Sequence, residues 1–311
     1  MQKALSGAVI ASAIALLSLP ALGADPRAYE FITVDLPNGL RPGAFMAPGV
    51  GGINDRGWIV GAYQTTSFGR SQAFLDTSRT FTTIGGPAEL AANGVNNRGT
   101  IVGIYTFGGI VEVRGFIYRN GKSTTIDALP GLTGSGTVVH PEGISNNGVI
   151  VGWGAAAPMA IPKHGFVRSA EGQITTLDLA GDTFLTGVND RGAIVGEYIP
   201  TIGPLTSFLR QLTSAVSPIQ EPGASQTFVN AINDAGEVVG DYQMTASATA
   251  THGFVLDKEG FVTIDVPGAS STMVTGINNH SELVGRFDDA KGAHVFLARP
   301  QEEGDEDITE R

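Results

Sequence analysis

The stretch Gly52-Ile53-Asn54-Asp55-Arg56-Gly57-Trp58-Ile59-Val60-Gly61 decides the fold, because the chain repeats it. It returns as Gly94-Val95-Asn96-Asn97-Arg98-Gly99-Thr100-Ile101-Val102-Gly103, and again over 143–152, 187–196, 231–240 and 276–285. The closing glycines stand at 61, 103, 152, 196, 240 and 285, a spacing of 42 to 49 residues. A period in that range is the mark of solenoids, propellers and tandem arrays.

Working outward from this stretch, each unit reads as four short strands. An apolar run ends in Gly-Ile-Asn or a variant, and a tight turn follows with glycine placed for a positive φ. The second strand, Ile-Val-Gly-x-aromatic, is rich in β-branched residues. A third strand is built on Phe74, Phe116, Phe166, Phe208, Phe254 or Phe296. The fourth resembles Phe261-Val262-Thr263-Ile264-Asp265-Val266 and stops at Pro267, since proline cannot donate to a ladder. Four antiparallel strands per unit, six units in all, predict an all-β, six-bladed β-propeller over residues 31–300.

The phase of the repeat predicts how the ring closes. The last unit ends after its third strand, near Ala298, and lacks a fourth. The chain before the first unit holds an orphan fourth strand, Phe31-Ile32-Thr33-Val34-Asp35-Leu36, ending at Pro37. Pairing this N-terminal strand into the last blade gives every blade four strands and removes both open edges.

Composition agrees with a turn-rich β protein. Of 311 residues, 43 are glycine, about twice ordinary usage, and 16 are proline. With no cysteine, disulfides, thiolate metal sites and a cysteine nucleophile are excluded. Lys3, the apolar run 8–19 and the small residues 20–24 read as a signal peptide over 1–24. A soluble protein outside the cytoplasm, secreted or periplasmic and free of the membrane after cleavage, is expected. The net charge is −11, and residues 301–311 account for −5 of it, as expected for a solvated, disordered tail. The absence of a basic patch argues against a nucleic-acid partner.

The Gly-Ile-Asn, Ile-Val-Gly and His-Gly-Phe pieces resemble the HAF-repeat family of extracellular bacterial proteins. The family's triplet appears as His164-Gly165-Phe166, His252-Gly253-Phe254 and His294-Val295-Phe296. In the other units Gln72, Arg114 and Thr206 replace the histidine. The resemblance implies an exported repeat protein and carries no catalytic residues with it.

A residue recurring in every blade serves the blade. On that ground Tyr63, Tyr105, Trp153, Tyr198, Tyr242 and Phe287, after the repeat glycine, are read as packing between blades rather than as a sugar platform. Asp35, Asp127, Asp178 and Asp265 are read as acceptors of local backbone N–H groups. His164, His252 and His294 are read as structural hydrogen-bonding groups, and the Asn-Asp-x-Gly turns as plain hairpin turns rather than calcium loops. No metal or cofactor is expected from these patterns.

Function is therefore sought where the symmetry breaks. The second-to-third and fourth-to-first connections are long and variable, and strand alternation puts both sets on one face, the expected binding face. The largest departure surrounds the third unit. There, loop residues His140 and Glu142, with Glu112 and Arg114 of the second unit and Lys163, form the candidate binding cluster. The leading expectation is a non-catalytic propeller holding a glycan, peptide or surface partner. The alternatives are a lyase or hydrolase of an extracellular polymer, using the same carboxylates and histidine as acid and base, and a structural surface component.

Overall fold

The computed structural model describes residues 28–34, 36, 41–42, 50–64, 71–84, 89–107, 112–126, 129–132, 136–157, 159–211, 215–245 and 250–301. The signal segment, Asp35, Pro37, Asp127 and tail residues 302–311 lie outside them.

The structure is a six-bladed β-propeller of antiparallel blades. Blade 1 holds β2 (Arg41–Pro42), β3 (Val50–Ile53), β4 (Ile59–Gln64), β5 (Ser71–Asp76) and β6 (Phe81–Ile84). Blade 2 holds β7 (Glu89–Val95), β8 (Ile101–Phe107), β9 (Glu112–Arg119) and β10 (Lys122–Ile126). Blade 3 holds β11 (Val138–Ile144), β12 (Ile150–Ala155), β13 (His164–Arg168) and β14 (Ile174–Leu177). Blade 4 holds β15 (Gly181–Val188), β16 (Ile194–Pro200), β17 (Thr206–Arg210) and β18 (Val216–Ile219). Blade 5 holds β19 (Gln226–Ile232), β20 (Val238–Gln243), β21 (His252–Leu256) and β22 (Phe261–Ile264). Blade 6 holds β23 (Ser271–Ile277), β24 (Leu283–Asp289), β25 (Gly292–Pro300) and, from the other end of the chain, β1 (Tyr29–Val34).

The ring closes as the phase of the repeat predicts. β1 pairs antiparallel with β25 from Tyr29↔Pro300 to Val34↔Val295. Phe31 meets Phe296 edge-on at 5.7 Å. The piece β2 was not expected; it pairs with the upper half of β4 while β3 pairs with the lower half, so the inner strand of blade 1 comes in two parts.

Each repeated residue has one local task. The six third-strand phenylalanines are 0–2% exposed and form the heart of the blades. The repeat glycine of the second strand passes so close to the inner strand that a Cβ on Gly152 would sit 2.0 Å from the His140 carbonyl oxygen. In the turns, Asn54 Oδ1 accepts the N–H groups of Arg56 and Trp58 at 3.0 and 3.1 Å.

The Asn turns also do something a plain hairpin turn does not. Asn54 Nδ2 donates to the Asn96 carbonyl of the next blade (2.9 Å), and Asn96 to Ser145 (3.1 Å). Asn189 donates to Asn233, Asn233 to Asn278, and Asn278 back to Asn54. This buried belt ties neighbouring blades together on the tight-turn face. It changes at one boundary, where Ser145 replaces asparagine and its hydroxyl accepts the Val149 N–H of its own turn, and Asn147 Nδ2 donates to the Asp190 carbonyl of blade 4 instead (3.0 Å).

Two expectations need adjusting. Tyr63, Tyr105, Tyr198, Tyr242 and Phe287 do join hydrophobic clusters shared between neighbouring blades. Trp153 also packs between blades, against Ala62, Ile104, Val113 and Val138, but it follows the repeat glycine by one residue rather than two and so does this from the other side of its strand. Asp178 and Asp265 meet histidines rather than backbone amides: His164 Nδ1 lies 3.1 Å from Asp178 Oδ1, and His252 Nδ1 2.8 Å from Asp265 Oδ2. Each histidine and its aspartate stand one residue beyond the last ladder pairs, Gly165↔Leu177 and Gly253↔Ile264.

Candidate binding site in the central channel

Every inner strand carries a β-bulge at the same repeat position. The ladder shifts between Val50 and Gly52, Ala92 and Gly94, Pro141 and Gly143, Leu185 and Gly187, Val229 and Ala231, and Val274 and Gly276. A bulge re-aims its extra residue. Here the extra residues Asn93, Glu142, Thr186, Asn230 and Thr275, with Gly51, all line one cavity of about 470 Å³ formed by the six inner strands. Ile199 and Leu205, which flank the connection from β16 to β17, also line it and place the long-loop face at its mouth.

The bulge side chains form a second belt. Asn93 Nδ2 donates to the Pro141 carbonyl (3.0 Å), Thr186 Oγ1 to Val229 (2.8 Å) and Asn230 Nδ2 to Val274 (2.8 Å). In each case the acceptor is the residue just before the next blade's bulge. By that rule Glu142 should serve the Leu185 carbonyl, and an ionised carboxylate has no proton to donate. Glu142 instead accepts from Asn93 Nδ2 (2.9 Å) and Trp153 Nε1 (3.2 Å). Gly51 has no side chain to donate and Thr275 Oγ1 donates to Val284 of its own blade, so the boundary between blades 3 and 4 is the one at which the turn bond and the bulge bond are both missing.

That boundary is also where the cavity wall is most distinctive. Trp153 and Glu197 occupy the same repeat position, which Ala62, Ile104, Asp241 and Arg286 fill in the other blades. Trp153 stacks on His140 with ring centroids 4.1 Å apart, and Phe184 meets Trp153 edge-on at 5.4 Å. Burial pushes the Glu197 carboxyl up to about 8; repulsion from Asp241 and Glu142 adds to this, and the Val229 N–H opposes it. Asp241, 3% exposed, is likewise pushed by burial up to about 7, while the Asn230 amide, 3.2 Å away, pulls it down.

The five residues of the predicted cluster separate. Glu142 lines the cavity. His140 stands behind Trp153, 5% exposed, with Nδ1 3.7 Å from Glu142 Oε1 and no partner on Nε2. Neither is on a loop, since β11 runs from Val138 to Ile144 and Pro141 sits beside the bulge, a place where a sheet accepts proline. Lys163 reaches the edge of the group, 5.8 Å over the Phe184 ring and 3.6 Å from Asp182. Arg114 lies on β9 opposite Tyr105 and does not line the cavity. Glu112 opposes Phe107 in the backbone ladder, and its side chain lies outside the described residues.

The residues missed from sequence are Asn93, Thr186, Glu197, Asn230, Asp241 and Phe184. A signal for Asn93, Thr186 and Asn230 was present, because the residue before each Gly-Ile-Asn variant changes in character from unit to unit while the motif after it repeats. Among the described residues, no group of three or more His, Asp or Glu is arranged to hold a metal ion.

No family model matches the chain, and no curated protein matches it. Solved structures do. The chain is similar to the gluconolactonase XC5397 of Xanthomonas campestris, with a TM-score of 0.56 at 11% identity, covering 96% of this chain and 100% of that one. It is similar to the Aleuria aurantia lectin in complex with Fucα1-6GlcNAc, with a TM-score of 0.52 at 11% identity over 85% and 99%. An oligogalacturonate lyase in complex with manganese gives 0.51 at 10% identity over 97% and 99%. At such identities the likeness is one of fold, shared by a lectin and by enzymes.

Proposed function

We propose that this protein is an exported, non-catalytic propeller of the HAF-repeat kind that holds an extracellular ligand in its central channel, at the long-loop face. The observation that carries this reading is the boundary between blades 3 and 4, the one at which the turn bond and the bulge bond are both missing. Ser145 gives up the turn bond that every other blade makes, and Glu142 the bulge bond that Asn93, Thr186 and Asn230 make. The same boundary presents Trp153, Phe184 and Glu197 to a cavity of small-molecule size, a concave apolar wall with a few polar groups. A residue that costs the scaffold a bond and faces a cavity is best explained by what enters the cavity.

The test is a thermal-shift screen of the exported protein against glycans, peptides and small metabolites, repeated on Glu142→Gln. A ligand that stabilises the native protein and not the variant supports the reading. Ligands that bind both equally place the site elsewhere. Export itself is checked by fractionating cells that express the full chain.

A second reading, a hydrolase or lyase acting on an extracellular polymer, draws on the Glu197 and Asp241 carboxyls being raised toward neutrality, as acid–base catalysts require. Binding is preferred because Asp241 stands off the cavity surface with its Oδ1 engaged by Asn230. Turnover of a polysaccharide or ester that is lost in Glu197→Gln would favour the enzyme.

A further inference from the structure

We infer that the channel ligand is a compact organic cation, an ammonium group on an apolar or aromatic body. This rests on the binding reading above and names the chemical class for the same site. Glu142 and Glu197 line the cavity and, among the described residues, no lysine, arginine or histidine does. The remaining wall is largely apolar or aromatic, with Trp153, Phe184, Ile199 and Leu205 toward the mouth.

The nearby basic side chains pair with other carboxylates, although the buried Nε of Arg286 has no partner. Lys163 lies 3.6 Å from Asp182, and Arg286, the counterpart of Glu197 two blades on, donates to Asp288 at 2.9 Å. The titratable groups acting on Glu197 are Asp241 from β20 and Glu142 from β11; both are acidic, and both oppose its ionisation. His140 lies behind Trp153 with Nδ1 3.7 Å from Glu142 Oε1, so Glu197 is the carboxyl left without a basic neighbour. A partly buried carboxylate without a counter-charge is costly, and a cation placed against it supplies the missing partner. An aromatic face beside that carboxylate strengthens the same preference through its quadrupole. The volume, about 470 Å³, suits one small molecule.

A cation and a neutral polyol make opposite demands. The cation needs Glu197 ionised, so its affinity rises with pH and binding releases a proton. A polyol gains from protonated Glu197 as a donor, so its affinity is flat or falls.

The experiment is titration calorimetry on the exported protein with phenethylammonium, its neutral analogue 2-phenylethanol, and methyl glycosides. It is run at pH 6 and 8.5 in two buffers of different ionisation heat. The expected result is binding of phenethylammonium alone, at least tenfold tighter at pH 8.5, with proton release. Glu197→Gln should lose both the affinity and the pH dependence while keeping its cooperative melt. Failure of phenethylammonium to bind, or equal binding of 2-phenylethanol, overturns the cation. A glycoside bound in a Glu197- and Glu142-dependent way also overturns the cation, while leaving the channel as the site. Binding indifferent to both substitutions overturns both readings.

Discussion

Asn278 in blade 6 donates through Nδ2 to the carbonyl of Asn54 in blade 1, 3.1 Å away and 224 residues apart in the chain. The same bond joins blades 1 to 2, 2 to 3, 4 to 5 and 5 to 6, and Ser145 alone withholds it. Ser145→Asn supplies an Oδ1 for its own turn and an Nδ2 within reach of the Asn189 carbonyl. One buried hydrogen bond is worth about 1 kcal/mol. The variant should therefore melt about 2–4 °C higher in a calorimetric scan. A melting point at or below the native value would show that the belt does not stabilise the ring.

The seam gives a prediction of opposite sign. β1 contributes six residues to the β25 ladder, a buried Val34 and the Phe31–Phe296 contact. Without Tyr29–Val34 the β25 edge is open, and unpaired edges associate. Deletion should lower the melting temperature by about 10 °C or more, since the lost packing and ladder bonds amount to several kcal/mol. Size-exclusion chromatography should show aggregates. A monomer of native stability would mean that β1 is ornamental.

The fold was legible in the sequence because the repeated residues each perform the same local task in every blade. Asn54 and its equivalents cap a turn, Gly152 and its equivalents clear a carbonyl, and Phe166 and its equivalents fill a blade. Such demands are local, so they leave a period. The site was barely legible for the same reason. The bulge column Gly51, Asn93, Glu142, Thr186, Asn230 and Thr275 has no common residue, and nothing in a single unit says that a bulge aims it at the axis. Trp153 misled because it imitates the neighbouring aromatics one position early, which on a strand means the opposite face. Glu142 and His140 were found only because their surroundings looked irregular, and they were assigned to a loop that is in fact the inner strand.

The repeat glycine supplies a sharper check on that local logic. A Cβ on Gly240 would lie 1.9 Å from the Phe228 carbonyl oxygen and 2.9 Å from the Phe254 ring. The oxygen belongs to backbone and cannot swing aside. Gly240→Ala should cost about 3 kcal/mol or more, in the range of severe core changes. Gly57→Ala, in an open turn at φ 68°, should cost only about 1 kcal/mol. Denaturant melts of the two variants should rank in that order, and the reverse order would refute the close approach.

The raised carboxyls make stability depend on pH in a direction that can be worked out. In the unfolded chain Glu197 ionises near its ordinary 4.5, but in the folded chain it keeps its proton to about 8. Between those values the folded state binds more protons than the unfolded state, so stability falls as pH rises. Asp241 acts in the same sense between 3.8 and about 7. The contribution is fully present below pH 4, declines through neutrality and is gone above pH 8. Carboxylates lowered in the folded state, such as Asp55 and Asp289, act oppositely but only in acid, below their ordinary values. Urea titrations should therefore show a falling midpoint from pH 5 to pH 8.5. Glu197→Gln, which has no proton to lose, should flatten much of that decline and be the more stable protein at pH 8.5. A native midpoint that rises over this interval would mean that Glu197 is ionised in the folded chain at neutral pH, with a counter-charge beside it.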